Sequence, residues 1–201
     1  MRLKVMVLCA AMCLCGVAAN AQMAPAKVAI APGMAVEPAK ALDDLLSLYE
    51  SEVVGVAKAM PADKYSFAPS AATFAAGSPA KFDTVRTFGQ QVTHIAEANY
   101  YFYMSLSGLK PDVDMAALDK MTKDQNVSKD DALKVLMSSL AFAHKAIGTI
   151  TPANAFTAIK PVDGQNTRAS LAAFGVAHGY DHYGQMVEYL RMNGIVPPGS
   201  K

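Results

Sequence analysis

Tryptophan is missing from this chain of 201 residues, and its three cysteines, Cys9, Cys13 and Cys15, all lie near the start. Neither sign of charge dominates. Lys and Arg total 18 against 17 Asp and Glu, a formal net charge of +1. A nucleic-acid binder usually carries a clear basic excess, so that class is excluded. No apolar run reaches the roughly 18 to 20 residues of a membrane-spanning helix. Only 17% of residues are charged and 52% are hydrophobic, which excludes a disordered or low-complexity chain. No segment alternates with period two, and no repeat of 20 to 50 residues occurs. A glycine-rich phosphate loop, a GxSxG elbow and an HExxH helix are also missing. What remains is one domain, or a small pair, large enough for a real core.

The N-terminus has the form of an export signal. Arg2 and Lys4 precede an apolar run from Val5 to Ala19, and Ala19-Asn20-Ala21 supplies the small-x-small cleavage pattern. Cleavage there makes Gln22 the first mature residue and implies a periplasmic or extracellular protein. A lipoprotein cleavage is not expected, because Met12 and Leu14 precede Cys13 and Cys15. Every cysteine would leave with residues 1–21. The mature chain would then have no disulfide, no thiolate ligand and no cysteine nucleophile. Losing Arg2 and Lys4 would turn the net charge from +1 to −1.

Residues 22–38, rich in Ala and Pro, read as a flexible lead-in, with the folded domain at 39–198. Four amphipathic helices are expected in it. Leu42, Leu45, Leu46, Tyr49, Val53, Val56 and Met60 recur at helical steps before Pro61. A second helix is expected from an N-cap at Asp83 to about Ser107, stopped by Gly108 and Pro111. The segment from Pro111 to Val127 is polar and suggests only a short helical turn near Met115 to Met121. Ser128-Lys129-Asp130-Asp131 resembles a capping box opening a third helix, with Leu133, Met137, Leu140, His144 and Ile147 as its apolar stripe. The fourth helix spans about Thr167 to Asn193, with Gly194 as its C′ residue. The expected fold is all-α, an up-and-down four-helix bundle able to hold a site between facing helices.

The chemistry rests on four histidines: His94, His144, His178 and His182. His178 and His182 stand four apart on the fourth helix, so both imidazoles leave one face a turn apart and can reach one metal ion. Such a pair alone also arises by chance. Gly175 and Gly179 form an adjoining stripe where a neighbour can approach closely. A single histidine such as His94 is more often a core residue than a ligand, but with this pair it completes a three-nitrogen set. Three protein ligands leave one coordination position open. Imidazoles suit Zn, Ni, Cu or Fe. His144 is expected to be a buried core histidine rather than a fourth ligand. Asp181, three residues from His178, is the candidate catalytic carboxylate. It would act as a base or as an acceptor that orients an imidazole, or else be an ordinary exposed carboxylate. The tyrosines of the second and fourth helices read as core and rim aromatics.

From about Leu42 to Pro198 the chain resembles the DinB family of DinB/YfiT-like metalloproteins. The resemblance lies in the helix order, in His94 on a long second helix, and in His178-Gly179-Tyr180-Asp181-His182-Tyr183-Gly184-Gln185-Met186. Tyr189-Leu190-Arg191-Met192-Asn193-Gly194 matches the usual ending. It implies an up-and-down four-helix bundle, commonly dimeric, holding Zn or Ni through His94, His178 and His182. Characterised members include thiol-dependent S-transferases and a maleylpyruvate isomerase. The family name refers to induction by DNA damage, not to DNA binding. Asp181 and Tyr183 depart from the histidine and arginine found there in many members. Export would also separate the protein from cytosolic thiols. The expected function is a secreted divalent-metal-binding protein and metal-dependent enzyme, of transferase or hydrolase type, acting on a small molecule. Its rivals are a non-catalytic metal-binding or stress-response bundle and a metal-free interaction module.

Overall fold

The computed structural model describes residues 30–73, 76, 77, 79 and 81–200. The expected export signal and its cysteines lie outside them. The folded body contains α1 (Pro38–Ala59), α2 (Phe88–Ser107), α3 (Met115–Lys123), α4 (Lys129–Ile147), β1 (Ala158–Val162), β2 (Gln165–Thr167) and α5 (Arg168–Met192). No helix among the described residues is long and apolar enough to cross a membrane.

Local chemistry sets the helix ends. Pro38 opens α1, where its missing N–H is no loss, and Met60 turns extended ahead of Pro61. α2 begins four residues later than an Asp83 cap would place it. Thr87 caps it instead: Gln90 N–H donates to Thr87 Oγ1 at 3.2 Å, and Thr87 N–H donates to Gln90 Oε1 at 3.0 Å. This reciprocal box satisfies two end donors at once. Gly108 ends α2 in the left-handed region at φ 74°. Asp114 caps α3 and Ser128 caps α4. Thr167 and Ser170 form a second reciprocal box at α5, and Gly194 follows it at φ 72°.

The all-α class holds, with one small addition. β1 and β2 form an antiparallel hairpin whose turn, Asp163-Gly164, has φ of 45° and 78°. Asp-Gly is the pair that suits such a turn, because both residues tolerate positive φ.

The four long helices close a ring: α1 packs on α4 and α5, and α2 packs on the same two. Their directions differ from the expected alternation. α4 lies antiparallel to α1, with His144 beside Asp43 and Glu50 and Lys129 at the far end donating to the carbonyls of Lys58 and Met60. α4 runs with α2, since Val127 lies against Gly89 while Ser139 bonds Asn99. α5 runs against α2, with Gln185 at Gln91 and Ala172 at Tyr103. α1, α2, α4 and α5 therefore run up, down, down and up. The segment carrying α3 explains this. It returns along α2, where Tyr100 Oη donates to Asp112 and Gln90 Nε2 donates to the Thr122 carbonyl, so α4 starts beside the start of α2.

Leu46, Tyr49, Val53 and Val56 of α1, Val92, Ala96 and Tyr103 of α2, and Leu171 and Met186 of α5 share the core. The stripe expected on α4 is half right. Leu140 and Ile147 are buried, but Met137 is 49% exposed and the His144 side chain 29%. The core face of α4 is Ala132, Leu136, Leu140 and Ala143. Met137 and His144 each sit one residue further on, about 100° around the helix.

His144 is therefore not a core histidine but a rim staple between α1 and α4. Its Nδ1 lies 2.5 Å from Asp43 Oδ1 and its Nε2 2.9 Å from Glu50 Oε2. Burial works against its protonated form. The bonds and charges of Asp43 and Glu50 outweigh burial and raise its pKa above the ordinary 6.5. Because the folded value is the higher one, this contribution is complete below about pH 6.5 and fades as the pH rises through the folded value. His144→Ala should lower stability by about 0.5–1 kcal/mol below pH 6, the scale of partly exposed ion pairs. The loss should shrink by pH 9, and metal content should be unchanged. Melting curves at both pH values, with metal analysis, check this.

Candidate metal centre

α2 and α5 bring three of the four histidines together. His94 leaves α2, and one turn of α5 separates His178 from His182. The His94 ring centroid lies 5.4 Å from that of His178 and 4.7 Å from that of His182, and the α5 pair are 4.7 Å apart. One nitrogen from each ring can be chosen so that all three lie within 4.8 Å of one another. His182 is buried, and the other two are half-buried. Phe102 stands edge-on to His178 at 5.3 Å. His144 takes no part.

A cation site made of imidazoles needs them neutral. Burial lowers the His94 pKa to about 3, helped by Arg86, His182 and His178. Burial also takes His182 down to about 4, with His178 and Arg86 adding to it and Asp181 opposing. His178 is lowered too, by burial first, against the pull of Asp181 and Asp163. All three rings are thus held as bases with free lone pairs near neutral pH.

A chain of side-chain amides selects the tautomer of His182. The Asp181 carboxylate can only accept, and Gln185 Nε2 donates to its Oδ2 at 3.2 Å. Gln185 therefore presents Oε1 to Gln91, whose Nε2 donates to it at 2.8 Å. Gln91 in turn presents Oε1 to His182 Nδ1 at 2.8 Å. The proton belongs on Nδ1, which leaves Nε2 as the donor for a cation. Asp181 itself is exposed on α5.

The glycines expected to allow close approach do so, and aromatic rings fill the space. A Cβ on Gly179 would lie 2.2 Å from Tyr49 Oη, and one on Gly175 would lie 3.0 Å from Tyr103 Oη. The site opens outward into two recesses that share His94 and Glu97. One, of about 450 Å³, includes Arg86, Gln90, Asp119 and Lys123. The other, of about 290 Å³, includes Tyr101, Phe102, Met115, Asp163 and His178.

Sequence reasoning found the three histidines and missed Gln91, Gln185, Arg86 and Asp163. A signal for the glutamines existed. Gln91 is three residues before His94 and Gln185 three after His182, so each shares a helix face with a histidine. Asp163 depends on the hairpin.

A model of the DinB superfamily matches residues 45–186, and all three histidines lie within that span. The chain belongs to the DinB superfamily. No curated protein matches it. Of the matched DinB span, α2 and α5 supply the whole histidine cluster, and the amide chain behind His182 lies inside it as well. Replacing Gln91 by Leu should leave the helices folded but weaken cation affinity by about 10- to 100-fold, the usual effect of losing an orienting partner. Zinc competition with a chromophoric chelator checks this.

Proposed function

We propose that this DinB protein binds one divalent cation, Zn or Ni, through His94, His178 and His182, and uses the open side of that site for catalysis of transferase or hydrolase type. The observation carrying this reading is the convergence of three neutral imidazoles beside two solvent-facing recesses. A bound divalent metal would polarise a substrate oxygen and lower the pKa of a coordinated water or thiol. The chain's own residues would hold and orient. His94 would tie α2 to the histidine pair of α5. Gln91 would fix the His182 ring through its Nδ1–H. Asp181 would keep both glutamine amides pointing the right way; its exposure also leaves it open to act as a base.

A non-catalytic reading has support in the fact that the three rings join only two helices, which already pack together. In that case the cation would serve mainly to hold α2 to α5. The readings part on the fourth position. Purified without an affinity tag, the protein should carry about one divalent metal per chain, and His178→Ala should lose it. Full stoichiometry in that variant would remove the assignment. With cobalt in place of the native ion, small anions or thiols should change the visible spectrum of an open site and leave a closed one unchanged.

We also propose export, on the strength of Arg2, Lys4, the apolar run and Ala19-Asn20-Ala21. Intact mass of protein recovered from the native envelope should show Gln22 first. Full-length chain in the cytoplasm would reverse the assignment and restore access to cytosolic thiols.

A further inference from the structure

The two recesses beside His94 differ in chemistry. The larger lies between residues 83–86, α2 and α3, and its cations are Arg86 and Lys123. Lys123 Nζ is paired with Asp119 at 2.7 Å. Arg86 is exposed and forms no ion pair among the described residues. Its backbone is anchored, because Tyr189 Oη donates to the Arg86 carbonyl at 3.0 Å. Arg86 lines the same recess as His94. Three carboxylates share this recess: Asp83, Glu97 and Asp119. Asp119 is engaged by Lys123. Glu97 stands on the shared ridge, its Oε2 3.9 Å from His94 Nδ1. Asp83 is exposed.

The smaller recess is apolar along Ala98, Tyr101, Phe102 and Met115, with Asp163 and the shared Glu97 as its acids. A guanidinium fork matches a carboxylate in two parallel bonds, whereas aromatic and thioether walls suit a hydrocarbon arm.

We infer that this site takes a small carboxylate bearing an apolar arm: Arg86 binds the carboxylate, the recess of Tyr101, Phe102 and Met115 receives the arm, and the atoms between them lie over His94. The inference rests on the metal-centre reading for the chemistry that follows, but not for binding itself.

3-Phenylpropanoate is a suitable probe, with its neutral amide and acetate as comparisons. Each is titrated by calorimetry into the full chain, metal-free and zinc-loaded, for the native protein and for Arg86→Gln, Arg86→Lys and Lys145→Gln. The acid should bind at least about tenfold more tightly than the amide, as a charge-assisted bidentate contact provides. Acetate, lacking the arm, should bind at least about tenfold more weakly than the phenyl acid. Arg86→Gln should remove the preference for acid over amide, Arg86→Lys should restore part of it, and Lys145→Gln on α4 should change nothing. Equal binding of acid and amide overturns the inference. So does a preference that survives in Arg86→Gln, or acetate binding as tightly as the phenyl acid. An Arg86-dependent preference in the metal-free chain upholds it even if zinc is never taken up. Zinc uptake without that preference overturns it and leaves the metal centre standing.

Discussion

How near α5 can lie to its neighbours is set by two absent side chains. At Gly175 the Tyr103 ring of α2 presses on the α5 backbone, and at Gly179 the Tyr49 ring of α1 does so more closely. A methyl group at either position would push the helix outward. Gly179 sits between His178 and His182, so one turn of α5 meets α1 on one face and offers both imidazoles to α2 on the other. Tyr103 reinforces the arrangement by donating to the Ala172 carbonyl at 3.1 Å. The Tyr49 hydroxyl is fully enclosed and has no hydrogen-bond partner among the described residues. Packing of its ring, rather than a polar bond, must hold that contact together. Burial of a large aromatic side chain contributes on the order of 1.5–3 kcal/mol, enough to outweigh one unmet hydroxyl at the lower end of its penalty.

The same packing prepares the electrostatics. Three imidazoles in close contact would repel if protonated, and burial already disfavours the charged form. Arg86 adds a fixed positive charge nearby. Burial and neighbouring positive charge thus make the cluster hard for protons to occupy. His144 shows the contrary case on the same scaffold. Flanked by Asp43 and Glu50 at the rim, it favours its protonated form despite partial burial. Residue type alone does not separate these two fates; the partners brought in from other helices do.

Helix periodicity alone makes α1, α4 and α5 legible in the sequence, and the i, i+4 pair on α5 points directly at the site. Stop signals were equally plain, as Gly108 and Gly194 show in their left-handed conformations. Three things were harder to read. Asp83 reads from the sequence as the cap of α2, but Thr87 takes that place through its reciprocal bonds with Gln90. The hairpin is short and carries Pro161, so period two had no room to appear, although Asp163-Gly164 marked its turn. Helix directions depend on where the segment carrying α3 runs, which is a tertiary property. Arg86 was invisible for a similar reason. It precedes α2 in a loop whose path is set by the body, not by local pattern.

The histidine cluster and the mouth of the site belong to different kinds of chain. His94, His178 and His182 stand on long helices whose interiors cannot change length without shifting the core. Asp163 overlooks the smaller recess from a tight turn joining two short strands in the connection between α4 and α5. Turns of that kind accept exchange and insertion far more readily than helix interiors do. Selection could therefore rewrite what enters the site by editing the hairpin alone, while the histidine-bearing helices beneath it are kept.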